Sequence, residues 1–129
     1  MTKFKFFILF LLFSAGLLFI NCNGNTSNEV SYAFDIQPIF DTNCIHCHGN
    51  YEPSANLTLT NYDSLMLGDS YNGPVVEPEL KPKFNILFQK VAWSPPPFGS
   101  RMPLDGPPYL SERQINLIWR WIYNGAEDN

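Results

Sequence analysis

The sequence is short of charge, of histidine and of cysteine. Across 129 residues only 16% are Asp, Glu, Lys or Arg, against about 25% in an average soluble domain. Basic residues are the scarcer sign, eight Lys and Arg against twelve Asp and Glu, so the chain lacks the positive footprint that a nucleic-acid partner requires. Three cysteines are too few for a disulfide framework, and no second Cys/His pair lies downstream of Cys44–His48 to complete a site of the zinc-finger kind. No internal repeat occurs. The one strand-like alternation, Leu57-Thr58-Leu59-Thr60, is too short to carry a sheet. A chain of this length is expected to hold one domain with a single core.

What is plentiful is unevenly placed. Lys3 and Lys5 precede an uncharged, apolar stretch from Phe6 to Ile20, and polarity returns at Asn21. This is the pattern of an export signal, and it is shorter than the roughly 18–20 apolar residues of a spanning helix. Leu18-Phe19-Ile20-Asn21-Cys22 resembles a bacterial lipobox, which implies that Cys22 becomes the lipid-bearing first residue of the mature protein. Residues 1–22 are therefore expected to be a signal peptide of lipoprotein type, and residues 23–30, rich in Asn, Gly and Ser, a flexible tether. The folded domain is expected over 31–129. Loss of Lys3 and Lys5 with the signal leaves six basic side chains against twelve acidic ones, a formal charge of about −6.

The domain reads as all-α. Pro38, Ile39 and Phe40 after Ser31 suggest a short helix running into Cys44. Shorter helices are expected from Thr60 to Leu67, closed by Gly68, and from Asn85 to Val91 with Asn85 as cap. The last helix is the clearest. Ser111 and Gln114 form a capping box, Ile115, Ile118, Trp119 and Ile122 fall at helical spacing, and Gly125 stops it. Between these helices eight prolines from Pro78 to Pro108 enforce stiff, extended loops. A domain with few helices and long loops has a thin core, which a large apolar ligand would complete.

Cys44-Ile45-His46-Cys47-His48 is Cys-x-x-Cys-His, the attachment signature of c-type haem. One helical turn sets two thiols where each can add to a vinyl group of the porphyrin, and brings the following imidazole to the iron. Three other readings use the same residues. A thiol oxidoreductase also carries Cys-x-x-Cys, but the alternating strands and helices of a thioredoxin fold are missing. A zinc site would use Cys44, Cys47 and a histidine, but lacks a fourth ligand. A Cys44–Cys47 disulfide would be strained and would leave His48 unexplained. His46 is expected to be an exposed filler of the motif.

The surroundings of the motif narrow the choice. Residues 34–40 and 43–49, then Arg101-Met102-Pro103-Leu104, Leu110-Ser111 and Trp121-Ile122-Tyr123-Asn124-Gly125-Ala126 together resemble the cytochrome c-like domains of planctomycete and related bacterial exported proteins. The resemblance covers about residues 34–126. It implies a small cytochrome c-like fold, in which N- and C-terminal helices pack together beside one covalent haem c. Met102, between rigid prolines and about ten residues ahead of the last helix, is the candidate sixth ligand; Met66 is expected in the core. A thioether stabilises ferrous iron, so a His48/Met102 pair implies a closed iron and electron transfer without catalysis. The expected function is a monohaem electron carrier acting on redox partner proteins, exported and held at a membrane by its lipid. The alternatives are a haem catalyst or gas sensor with an open iron, and a haem subunit of a larger oxidoreductase. Arg101 could pair with a haem propionate or remain a solvated charge. Trp119 and Trp121 are expected to pack against the first helix and the cofactor.

Cys22→Ala is expected to abolish lipid attachment and move the protein from the membrane fraction to the soluble one. A variant that stays membrane-bound at full length would identify the segment as an uncleaved anchor.

Overall fold

Ser31 starts the first helical segment: its hydroxyl accepts from the Phe34 amide at 3.2 Å, supplying a partner that the chain has not yet wound far enough to provide. One π-helical turn, Tyr32–Ile36, then runs into α1, Gln37–Asn43. Pro38 sits in the first turn of α1, where its missing N–H costs nothing. The computed structural model describes residues 29–129; the expected signal peptide, Cys22 and most of the tether lie outside them.

The later elements follow from local chemistry too. The Asn61 side chain accepts from the Ser64 amide at 2.8 Å and opens α2, Tyr62–Met66. The chain turns away at Gly68, whose φ of +75° suits a residue without a Cβ. A 3₁₀ turn at Pro82–Phe84 leads into α3, Ile86–Ala92. α4, Glu112–Tyr123, carries the full capping box: the Ser111 hydroxyl accepts from the Gln114 amide at 3.3 Å, and Gln114 Oε1 accepts from the Ser111 amide at 2.9 Å. Among the described residues every regular element is helical and no strand forms.

Asn85 departs from expectation. It holds the N-cap position of α3, yet its side chain makes no capping bond. It is buried instead, accepting from the Glu77 amide at 2.5 Å and donating to the carbonyls of Leu80 and Lys81. A buried amide is held where all its groups find partners, and here the preceding loop supplies them.

α4 lies against the Tyr32–Ile36 turn and against α3. At the first contact the rings of Tyr32 and Trp121 are 5.4 Å apart, and Tyr62 meets Tyr32 edge-on at 5.1 Å. Ile36, Phe40, Leu65, Ile118, Trp121 and Ile122 fill the centre. Polar ends of these rings are satisfied: Tyr62 donates to the Ala126 carbonyl at 2.8 Å, and Trp121 Nε1 to that of Glu127 at 2.9 Å. Asn129 is pinned to the Tyr32–Ile36 turn, accepting from the amides of Tyr32 and Ala33. Trp119 does not share this packing. It lies about 100° round the helix from Ile118, is exposed, and stacks on Tyr123 with centroids 4.9 Å apart.

Trp121→Ala is expected to destabilise the protein by about 3–5 kcal/mol in equilibrium urea unfolding. Trp119→Ala, which loses one exposed stacking contact, is expected to cost no more than about 1.5 kcal/mol.

Candidate functional site

Where α1 ends, its last carbonyls lack helical partners, and the chain uses them to keep turning. The Phe40 carbonyl accepts from the amides of Cys44 and Ile45, at 2.8 and 3.1 Å. The Cys44 carbonyl in turn accepts from Cys47 at 3.1 Å and from His48 at 2.9 Å. Cys44 to His48 is thereby wound into one tight turn, and Cys44, Cys47 and His48 line a single cavity. Gly49 follows because a Cβ there would stand 2.7 Å from the Ile45 carbonyl oxygen.

His48 is held in a defined state. Its Nδ1 lies 3.1 Å from the Ser54 carbonyl, which can only accept, so Nδ1 carries the proton and Nε2 keeps a free lone pair. The ring is half-buried. Burial holds its pKa below the usual value, hydrogen bonding to the backbone of Leu57 and Ser54 works the other way, and His46 adds to the lowering. A neutral imidazole with a free Nε2 is the form that binds a metal.

Met102 reaches the same place from the other end of the chain. The 3₁₀ turn and α3 present the carbonyl of Lys90, which accepts from the Met102 amide at 2.8 Å. The larger cavity, about 370 Å³, is lined by Cys44, Cys47 and His48 on one side and by Met102, Pro103 and Leu104 on the other. Its size falls in the roughly 300–1,000 Å³ range of small-molecule sites. A second cavity of about 130 Å³ lies toward Leu57, Leu59, Val75, Leu87 and Val91. Cys44, His48 and Met102 line both cavities. All four residues singled out within the described chain, Cys44, Cys47, His48 and Met102, are thus brought together.

The thiols are free, Cys44 half-buried and Cys47 exposed. Burial, and then Cys47, push the Cys44 thiol up to about 11. Exchange centres need the reverse, a thiolate favoured at a helix N-terminus or by nearby cations, whereas Cys44 caps the carbonyl end of α1. Zinc fares no better, since among the described residues no three His, Cys, Asp or Glu side chains converge on a point. A largely apolar slot with two thiols, one imidazole nitrogen and one thioether on its walls fits a flat, apolar, iron-bearing ring that the thiols can bond.

Several site residues were not legible in the sequence. The Ser54 contact is made by a main-chain carbonyl, which any residue could provide. Asp105, exposed like His46, stands 3.7 Å from its Nε2 across the cavity rim, an exposed pair of small energetic weight. Arg101 is half-buried and lines neither cavity. Its Nε donates to the Val91 carbonyl at 3.1 Å, and its guanidinium lies 4.4 Å over the Tyr109 ring.

No family model, no curated protein and no solved structure matches the chain.

In chain made without cofactor, iodoacetamide at pH 8 is expected to modify Cys47 at least about ten times faster than Cys44, whose half-buried thiol is then ionised to only about one part in a thousand. Cys44 labelling should rise about tenfold per pH unit until its thiol titrates near 11. Equal rates for the two cysteines, read by peptide mass spectrometry, would contradict the burial of Cys44.

Proposed function

We propose that this protein is a monohaem c-type cytochrome with a cytochrome c-like fold, and that it carries electrons. The observation that carries this reading is the convergence of Cys44, His48 and Met102 on the boundary of two apolar cavities, with Cys47 beside them. Each thiol would add across a vinyl C=C bond, sulfur to one carbon and hydrogen to the other, with no oxidant consumed. Bound haem would supply a one-electron ferric/ferrous couple.

The rest of the work falls to the chain. His48 offers Nε2 because Ser54 holds the proton on Nδ1. Met102 offers a neutral, soft sulfur that favours the ferrous state and leaves no position for a substrate. Leu57, Leu59, Val75, Leu87 and Val91 exclude water from the inner side, which further disfavours the extra positive charge of the oxidised form. The proposed setting is outside the cytoplasm, facing periplasm or cell exterior, with lipid on Cys22 as the membrane anchor and redox proteins as partners. No helix among the described residues is long and apolar enough to cross a membrane.

Protein made in a host with a haem-attachment system is expected to carry one haem that survives acid-acetone extraction. Ferric wild type should show the methionine-to-iron charge-transfer band. Met102→Ala should lose that band, lower the reduction potential and gain carbon monoxide binding in the ferrous state, whereas Met66→Ala should do none of these. A colourless protein with stoichiometric zinc would sink the proposal.

A further inference from the structure

Met102 sits in a proline-rich strap, and the hydrogen bond its amide donates to the Lys90 carbonyl is a single tie. Two more ties reach the same end of α3. The Val91 carbonyl accepts from Arg101 Nε at 3.1 Å, and Lys90 Nζ donates to the Phe98 carbonyl at 2.9 Å. The carbonyl end of a helix has unpaired acceptors to offer, and the strap takes up two of them on consecutive residues, 101 and 102.

The other end of the strap closes on the same structure through an aromatic ring. Beyond Met102 the chain turns back, with the Gly106 amide donating to the Pro103 carbonyl at 3.2 Å. Tyr109 then lies against Gly106 so closely that a Cβ there would stand 2.5 Å from the ring. The other partner of that ring is the Arg101 guanidinium, 4.4 Å from its centroid, a distance at which a cation is attracted to the ring quadrupole. One ring therefore touches the residue before Met102 and the turn after it. None of Arg101, Gly106 and Tyr109 lines either cavity.

The geometry points to Arg101, Tyr109 and Gly106 as a clasp that positions Met102, so that the hold of its sulfur on the iron is set by a cation–ring contact outside the cofactor cavity. The inference rests on the proposed haem function. These three are positioning residues, acting only through Met102. A thioether is a weak, neutral ligand, and loosening the strap raises the fraction of time it is away from the metal. An external ligand then binds in proportion to that open fraction.

The test uses the full exported chain with haem attached. Tyr109→Ala removes the ring, Arg101→Gln removes the cation and weakens the tie to Val91, and Tyr109→Phe keeps the stacking face. Wild type and Tyr109→Phe are expected to share the same charge-transfer band and reduction potential. Tyr109→Ala and Arg101→Gln should lose much of the band, shift the potential downward, and bind carbon monoxide about tenfold faster. Their covalent haem content and far-ultraviolet circular dichroism should match wild type. If Tyr109→Ala does not accumulate, Arg101→Gln against Tyr109→Phe decides. Wild-type band, potential and carbon monoxide rate in Arg101→Gln would overturn the clasp while leaving the haem reading intact. A wild type without haem, or one whose band survives Met102→Ala, would overturn the functional reading and the clasp together.

Discussion

The Cys44 carbonyl, which accepts from the amides of both Cys47 and His48, is the interaction on which the site depends. It winds five residues into one turn just as α1 runs out. Without it the two cysteines and His48 would have no common direction and no common cavity. What precedes and follows it serves to hold it. Phe40, buried in the core, anchors the end of α1, and the Cys47 and His48 carbonyls accept from Ser54 and Leu59. The Ser54 carbonyl completes the arrangement by taking the His48 Nδ1 proton. Orientation of the ring and its protonation state thus come from the same short loop.

The core complements this site without filling it. Aromatic rings from three separate elements, Tyr32, Tyr62 and Trp121, meet on one side of the molecule, beside the buried Ile36, Phe40, Leu65, Ile118 and Ile122. The other side is loop, stiffened by proline and hung from α3. Leu57, Leu59, Val75, Leu87 and Val91 have their inner faces turned to a cavity where another protein would place side chains. For a domain this small, apolar surface facing a cavity forgoes contacts, which the proposed apolar cofactor would supply.

How much of this was legible follows from how local each feature is. The α4 capping box needs only Ser111 and Gln114, three residues apart, and the structure contains it as expected. The Cys44–His48 turn is equally local. Asn85 caps by position but not by side chain, and a capping position and a buried loop anchor look alike in sequence; the difference is made by the amide of Glu77, eight residues earlier. Trp119 and Trp121 are two residues apart and carry the same expectation in sequence, whereas the helical period turns one inward and leaves the other out. Arg101 illustrates the largest gap, since its partners are a backbone carbonyl ten residues before it and a ring eight residues after it. No spacing rule announces such contacts. The helical class was readable from short-range signals, while the architecture of the strap around Met102 was not.

The same contrast separates the two halves of the site. His48 is delivered by consecutive main-chain hydrogen bonds within one turn, so its position follows from local backbone geometry and tolerates changes elsewhere. Met102 is delivered by a long strap held at the carbonyl end of α3, at the Tyr109 ring and, weakly, by Asp105 to His46. Segments with few regular hydrogen bonds are the ones that open at low free-energy cost. A rigid imidazole on one side and a strap-borne thioether on the other make an asymmetric pair, and under the proposed function the strength of the second ligand becomes the adjustable quantity. Small changes in the contacts of Arg101 or Tyr109 would tune the iron between a closed electron carrier and an open, ligand-binding centre, with the attachment of the cofactor unaltered. On that reading the alternative of an open iron site would be, in physical terms, the far end of one equilibrium, and the strap would set where along it this chain lies.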